Sequence, residues 1–255
     1  ENIVKELRAA GEGGGGGLVP RFLRAGLAHM GGGEGARLSA MNAVSSFAMA
    51  SSEALEQILG DEELLQSWIR LYGLKTEMKA ACLHAVARAL LPLPDDEAKK
   101  TLHSGSTPNP AVREGEEDED DEHTSALKQR LFQELGAANG APGGGTPAFL
   151  LGLARQPVPE LRHAALDVLR AAAGQRPGGW GVLAVADPGV VALLRRRDAL
   201  NSKLDREWQF SVIENLMKNP SRSLLPPDLL DSFNTMLKQG PFYTEQQVGE
   251  MQTMS

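Results

Sequence analysis

An amphipathic helical pattern recurs along most of this chain, and it is clearest between residues 158 and 173. In this stretch, VPELRHAALDVLRAAA, apolar side chains return about every 3.6 residues, which places them on one face of a helix. Pro159 stands in its first turn and Gly174 follows its last residue, as expected at the two ends of a helix. Such a helix must bury its apolar face against neighbours, so the fold has to be a packing of helices.

The helical segments come in pairs separated by short Gly- or Pro-containing turns. The predicted pairs are 21–30 with 36–50, 61–73 with 75–91, 147–156 with 158–173, and 187–200 with 203–219, and single helices are predicted at 124–136 and 225–240. They recur about every 40 residues, which is typical of HEAT and armadillo repeats. The sequence therefore predicts an all-α, HEAT/armadillo-like right-handed superhelical solenoid of stacked helix pairs. An irregular helical globule is the alternative.

Composition divides the chain into five segments. We expect a flexible N-terminal segment at 1–17, helical repeats at 18–103 and 124–240, an acidic disordered insertion at 104–123, and a C-terminal tail at 241–255. The insertion carries eight carboxylates within residues 114–122 and cannot collapse against itself. It is interpreted as a loop between helical layers, with an acidic tether for a basic partner as the alternative. The chain begins without Met, which indicates a fragment of a longer protein.

Charge and cysteine content exclude several classes of protein. The net charge of −7 argues against a general nucleic-acid binder, and no apolar run approaches the ~20 residues of a membrane span. The single cysteine, Cys82, excludes an intrachain disulfide and fits a reducing compartment. We therefore expect a cytoplasmic protein, with the nucleus as a second compartment, that binds neither nucleic acid nor membrane.

No arrangement typical of an active site is recognisable in the sequence. The five histidines do not pair at metal-ligand spacing, and the glycine-rich runs lack the ending of a phosphate-binding loop. Cys82 lies on an apolar stripe, and His84 points about 200° away from it around the helix. The sequence predicts a buried thiol, no enzyme, no metal and no cofactor. Trp68 and Trp208 are predicted in the core, and Trp180 between glycines is a candidate exposed anchor.

The candidate functional surface is a row of cations on the second helix of each pair, the helix that lines the concave side of such arrays. The predicted partner-binding residues are Lys79, His84, Arg88, Arg162, His163, Arg170 and Arg206. Cations gathered on a chain of negative net charge would suit an acidic or polar protein surface. Ordinary solvated faces, or a polar ladder between helical layers, are the alternative interpretations.

Three stretches carry a family resemblance: CLHAVARALLPLPDDE (82–97), QPVPELRHAALDVLRAAA (156–173) and LKQGPFYTE (237–245). In this order the chain resembles the C-terminal half of the 26S proteasome non-ATPase regulatory subunit 5 family, the S5b base-assembly chaperones. It departs from the family pattern at 13–17, in the acidic insertion and at 174–181. The resemblance implies a solenoid that binds the C-terminal domain of a base ATPase subunit, chiefly regulatory subunit 7, and assists the large base scaffold subunit. It also implies release from the mature proteasome.

An armadillo-type adaptor that binds an extended peptide or protein partner is the second functional hypothesis. Such grooves usually display asparagines in register on successive inner helices. Here Asn42, Asn201 and Asn215 do not recur in register, so this hypothesis ranks below the assembly chaperone.

Overall fold

The computed structural model describes residues 27, 33–91, 122–141, 145–176, 178–196 and 202–242. Four predicted features lie wholly or largely outside these residues: the segment 1–17, the helix 21–30, nearly all of the acidic insertion and the tail beyond Phe242. The boundaries of the five sequence segments therefore stay a prediction.

Within the described residues the backbone is helical and contains no β-strand, which confirms the all-α prediction. The helices are α1 (Gly33–Ala48), α2 (Ser52–Gly60), α3 (Glu62–Ile69), α4 (Thr76–Leu90), α5 (Glu122–Ala138), α6 (Gly145–Ala154), α7 (Pro159–Ala173), α8 (Trp180–Val185), α9 (Pro188–Arg195), α10 (Lys203–Lys218), a 3₁₀ helix (Pro220–Leu224) and α11 (Pro227–Gln239). None of them is long and apolar enough to cross a membrane.

The long helices form one continuous row. Helix α1 packs on α4, α4 on α7, α7 on α10 and α10 on α11. The most extensive packing is that of α7 against α4 on one side and α10 on the other. Helices α4, α7 and α10 are the second members of three predicted pairs, so the stacked arrangement of a solenoid is confirmed.

A second layer covers one side of this row. Helix α5 contacts α2, α3 and α6, while α9 contacts α6 and α10. One further helix precedes each pair: α2 precedes α3–α4, α5 precedes α6–α7, and α8 precedes α9–α10. The repeating unit is thus three helices, and the sequence analysis had not predicted α2 and α8.

Short polar side chains begin several of these helices. Ser51 Oγ accepts a hydrogen bond from Ala54 N at 3.2 Å, and Asp61 Oδ1 accepts one from Leu64 N at 3.0 Å. Each cap satisfies a backbone N–H that has no partner within its own helix. Together with the apolar periodicity, these caps explain why the chain divides into short helices here.

The apolar faces join into one hydrophobic core that extends from α1 to α11. Trp68 is fully buried in it, as predicted. Cys82 is also fully buried, and its thiol donates to the Trp68 carbonyl oxygen at 2.8 Å. Burial raises the pKa of Cys82 to about 12, so the thiolate does not form near neutral pH. The prediction of an unreactive core thiol is confirmed.

Helix α5 is longer than the sequence suggested. It continues past Gly136 to Ala138, because Gly136 serves packing and does not end the helix. A Cβ at this position would lie 2.8 Å from the Cα of Thr146 at the start of α6. The missing side chain therefore lets α6 approach α5, and the Thr146 hydroxyl donates to the Phe132 carbonyl oxygen at 2.7 Å.

The hypothesis that Trp180 is an exposed anchor is wrong. Trp180 begins α8 and is only 8% exposed. Its indole Nε1 donates to Ser125 Oγ at 3.2 Å, and its ring centroid lies 5.4 Å from that of Phe132. The glycines around it, which suggested a loop, allow a short helix to pack closely enough to bury the indole.

Candidate partner-binding face

Polar side chains from three neighbouring long helices meet on one side of the row, which we call the α4–α7–α10 face. Its residues are His84 of α4, Arg162, His163, Asp167 and Arg170 of α7, and Asp205 and Trp208 of α10. Four of these were predicted from sequence, whereas Asp167, Asp205 and the role of Trp208 were not. The face consists of two carboxylate-centred clusters joined by one indole ring.

The first cluster is centred on Asp167. His84 Nδ1 donates to its Oδ2 at 2.7 Å, and Arg170 donates to its Oδ1 from Nε at 3.0 Å and from Nη2 at 2.7 Å. Burial of this carboxylate would raise its pKa, but the hydrogen bonds from His84 and Arg170 outweigh burial and hold the pKa below its usual value. Asp167 therefore stays ionised and links α4 to α7.

The second cluster is centred on Asp205. Arg162 donates to both of its carboxylate oxygens, at 3.2 and 3.0 Å, and His163 Nε2 donates at 2.8 Å. Ser202 donates to the same carboxylate from its backbone N and its hydroxyl, completing a capping box at the start of α10. Burial opposes ionisation, yet these hydrogen bonds lower the pKa of Asp205 to about 2. Asp205 thus joins α7 to α10.

Trp208 lies between the two clusters. Its ring stacks on His163 with 6.2 Å between centroids and 19° between planes, and the His84 ring centroid is 6.3 Å away. The Arg170 guanidinium carbon lies 6.0 Å from the ring centroid, at the limit of a cation–π contact. Trp208 is only partly buried but packs against the core, so the prediction that it is a core residue is confirmed only in part.

These contacts change the interpretation of the predicted cationic row. The two arginines are matched by two buried carboxylates, so the face carries little net charge when its histidines are neutral. This is the polar ladder between helices that the sequence analysis kept as an alternative. Among the described residues, the face is a rigid polar frame around an aromatic ring, in which both arginines are ion-paired.

The other three predicted residues lie apart from this cluster. Arg88 lies at the edge of the α4–α7–α10 face, one turn along α4 from His84, where it is exposed and its Nη2 donates to Asn42 Oδ1 of α1. Lys79 lies in a separate groove with Tyr72. Arg206 lies between α10 and α11 beside Met236. Their roles in binding stay a prediction. Across the described helices, no group of three or more His, Cys, Asp or Glu side chains could hold a metal ion.

The two carboxylates make stability sensitive to acid. Because the pKa values of Asp167 and Asp205 are lower in the folded chain than in the unfolded chain, both stabilise the fold at neutral pH. This contribution is lost as the pH falls from about 4 towards 2. We expect the melting temperature, followed by circular dichroism, to fall more steeply in this range for wild type than for Asp205→Asn. If the melting temperatures of wild type and Asp205→Asn fall equally steeply between about pH 4 and pH 2, this expectation is contradicted.

Comparison with known proteins gives a family for this chain. The family model described as "Proteasome non-ATPase 26S subunit" matches residues 117–250, just over half of the chain, and that stretch includes α5 to α11. No curated protein matches the sequence. Among solved structures, the designed armadillo repeat protein YIII(Dq)4CqI matches at 15% identity and a TM-score of 0.35, covering 86% of this chain and 98% of that one. The designed armadillo repeat protein YIII(Dq.V1)4CPAF in complex with peptide (KR)4 matches at 13% identity and a TM-score of 0.35, covering 87% and 98%.

The matched stretch contains both carboxylate centres, Asp167 and Asp205, together with Trp208. Two of the three helices that build the α4–α7–α10 face therefore lie inside it. On the basis of this family match, the chain belongs to the family of proteasome non-ATPase 26S subunits.

Proposed function

We propose that this protein is a non-enzymatic chaperone for assembly of the base of the 26S proteasome regulatory particle. It binds the C-terminal domain of a base ATPase subunit, chiefly regulatory subunit 7, through the α4–α7–α10 face, and it leaves the mature proteasome. Contact with the large base scaffold subunit, and action in the cytoplasm and nucleus, are part of the same proposal. The family match supports a proteasome-associated role, and the sequence resemblance supports the assembly step.

One observation carries the choice of this face: a partly exposed tryptophan held in an ion-paired frame. Trp208 contacts His163 and Arg170. The Asp205 carboxylate holds His163, and the Asp167 carboxylate holds Arg170. Side chains ordered before binding lose little further entropy in the complex. Tryptophan and arginine are also the residues that most often dominate interface energies. The arrangement therefore suits specific recognition of a protein surface.

The alternative of an armadillo-type peptide adaptor has less support. Asn42 Oδ1 accepts a hydrogen bond from Arg88, and Asn215 Nδ2 donates to the Arg170 carbonyl oxygen at 3.2 Å. Asn42 and Asn215 thus bond within the chain, while Asn201 lies outside the described residues. To bind an extended peptide, asparagine side chains would have to direct their amides towards the backbone of that peptide, and these two bond to Arg88 and Arg170 instead.

The test is direct binding of the C-terminal domain of regulatory subunit 7, measured by isothermal titration calorimetry. We expect Trp208→Ala to weaken binding at least about tenfold, as for a central interface residue, and Arg88→Glu to weaken it several-fold. Arg195→Glu, an exposed charge reversal on α9 in the other layer, is the matched control and should leave binding unchanged. Arg88 is exposed, so its variant keeps the test valid if Trp208→Ala loses stability.

Binding that is unaffected by either face variant, or weakened equally by Arg195→Glu, would refute the assignment of this face. A pull-down with the full-length protein tests the assembly role separately. Recovery of base ATPase subunits without mature holoenzyme is the expected result. Stoichiometric recovery of intact 26S proteasome would contradict a role that ends before maturation.

A further inference from the structure

A groove opens at the end of the helical layers where the α3–α4 turn, α5 and α6 meet, and we call it the Tyr72 groove. It is lined by Arg70, Leu71, Tyr72, Lys79, Ala138, Asn139, Gly140, Phe149 and Leu153. Its volume of about 370 Å³ lies in the range of roughly 300–1,000 Å³ usual for ligand pockets. Leu71 and Leu153 are buried in its floor, while Tyr72 is 86% exposed at its edge.

Hydrogen bonds from one amide side chain hold the groove in shape. Asn139 Oδ1 accepts from Leu71 N at 2.8 Å, and its Nδ2 donates to the Ile69 and Leu135 carbonyl oxygens at 2.9 and 2.8 Å. The α3–α4 turn is thereby tied to the end of α5. An exposed tyrosine on a turn fixed in this way loses little freedom when a ligand packs on it.

The charge of the groove determines which ligand fits. Arg70 and Lys79 both line it, and none of the described residues that line it is acidic. In the described part of the chain, neither cationic side chain makes an ion pair or a side-chain hydrogen bond, unlike the arginines of the α4–α7–α10 face. Two cations that have no counter-ion among the described residues, beside an apolar floor on a chain of net charge −7, complement a ligand that is acidic and apolar.

The groove is separate from the α4–α7–α10 face. Lys79 and His84 are five residues apart on α4, which places them about 140° apart around the helix axis. A ligand in the groove therefore does not compete for the surface around Trp208, and the inference below does not depend on the proposed function.

We propose that the Tyr72 groove binds a short acidic segment of a partner protein. A carboxylate of that segment lies between Arg70 and Lys79, and a neighbouring apolar side chain packs on Phe149 and Leu153 beside the Tyr72 ring. The groove thus provides a contact point that is separate from the α4–α7–α10 face.

The probe is a fluorescein-labelled octapeptide in which acidic residues flank a central leucine–phenylalanine pair, with binding followed by fluorescence anisotropy. We expect it to bind at least about tenfold more tightly than the same peptide with lysines in place of the acids. The double variant Arg70→Glu/Lys79→Glu should weaken binding about tenfold or more, because two attractions become repulsions. Tyr72→Ala, which removes an exposed side chain without disturbing the core, should weaken it several-fold.

The matched control is Lys203→Glu/Lys218→Glu, two exposed charge reversals on α10 that should leave the affinity within about twofold of wild type. Equal binding of the lysine peptide, or equal loss in the control and groove variants, would overturn the proposal. A variant with the carboxylates of 114–122 replaced by serine tests another occupant. If it binds the peptide more than tenfold better than wild type, the chain's own acidic run fills the groove and a partner segment does not.

Discussion

Replacing Asp205 with alanine is expected to lower the free energy of unfolding by about 3 kcal/mol. The carboxylate is 6% exposed and holds Arg162 and His163 while it caps α10 through Ser202. Removing it leaves a guanidinium that is 23% exposed without its counter-ion, and the Ser202 N–H and hydroxyl lose the carboxylate that accepts from them, so only half of the capping box remains. Urea denaturation followed by circular dichroism measures the change. The same variant should weaken binding at the α4–α7–α10 face, because His163, which stacks on Trp208, loses its hydrogen-bond partner.

Glu207→Ala provides the matched control for this prediction. Glu207 lies on the same helix, but its side chain is 44% exposed and its nearest cation, Lys203, is 3.9 Å away. An exposed pair of this kind contributes little, so we expect a change within about 0.5 kcal/mol. If Asp205→Ala destabilises the protein no more than Glu207→Ala does, the second cluster does not stabilise the fold as described above.

Gly181→Ala is expected to destabilise the protein by about 2 to 3 kcal/mol through overpacking. A Cβ at Gly181 would lie 1.9 Å from the carbonyl oxygen of Ala172 and 2.8 Å from its carbonyl carbon. Both contacts involve backbone atoms of α7, so no side-chain rotation can relieve them. Helix α8 must move away from α7, and Trp180 would then lose its packing on Phe132.

Gly152→Ala is the matched substitution at an exposed position of a helix. No atom lies within 4 Å of a Cβ at Gly152, which lies in α6. Alanine there should stabilise the protein by about 0.5 to 1 kcal/mol, because it lowers the entropy of the unfolded chain. In thermal denaturation, we expect Gly181→Ala to lower the melting temperature and Gly152→Ala to raise it. A neutral Gly181→Ala would show that α8 does not pack closely on α7.

Local signals were sufficient to predict the long helices. Helices α4, α7 and α10 span enough turns for their apolar periodicity to appear in the sequence. The short helices α2 and α8, of nine and six residues, were not predicted. The glycines around Trp180 also indicated a loop. That signal was misleading because Gly181 is required for close approach to α7.

The candidate face was predicted only in part, for a reason of sequence distance. His84 and Asp167 are 83 residues apart, and Arg162 and Asp205 are 43 apart. Reading each helix alone showed its cations but not the carboxylates supplied by its neighbours. The row was therefore interpreted as a positive surface, whereas the structure has an ion-paired ladder.

The amino-acid sequence alone determined that this protein is a stack of amphipathic helices, since periodicity, caps and turn residues act within a few turns of chain. It also determined that the lone cysteine lies in the core. Only the tertiary structure decided which charges neutralise each other, which tryptophan is buried and where Arg70 and Lys79 share a groove. These outcomes depend on distances between side chains far apart in the chain, and packing of the helices sets those distances.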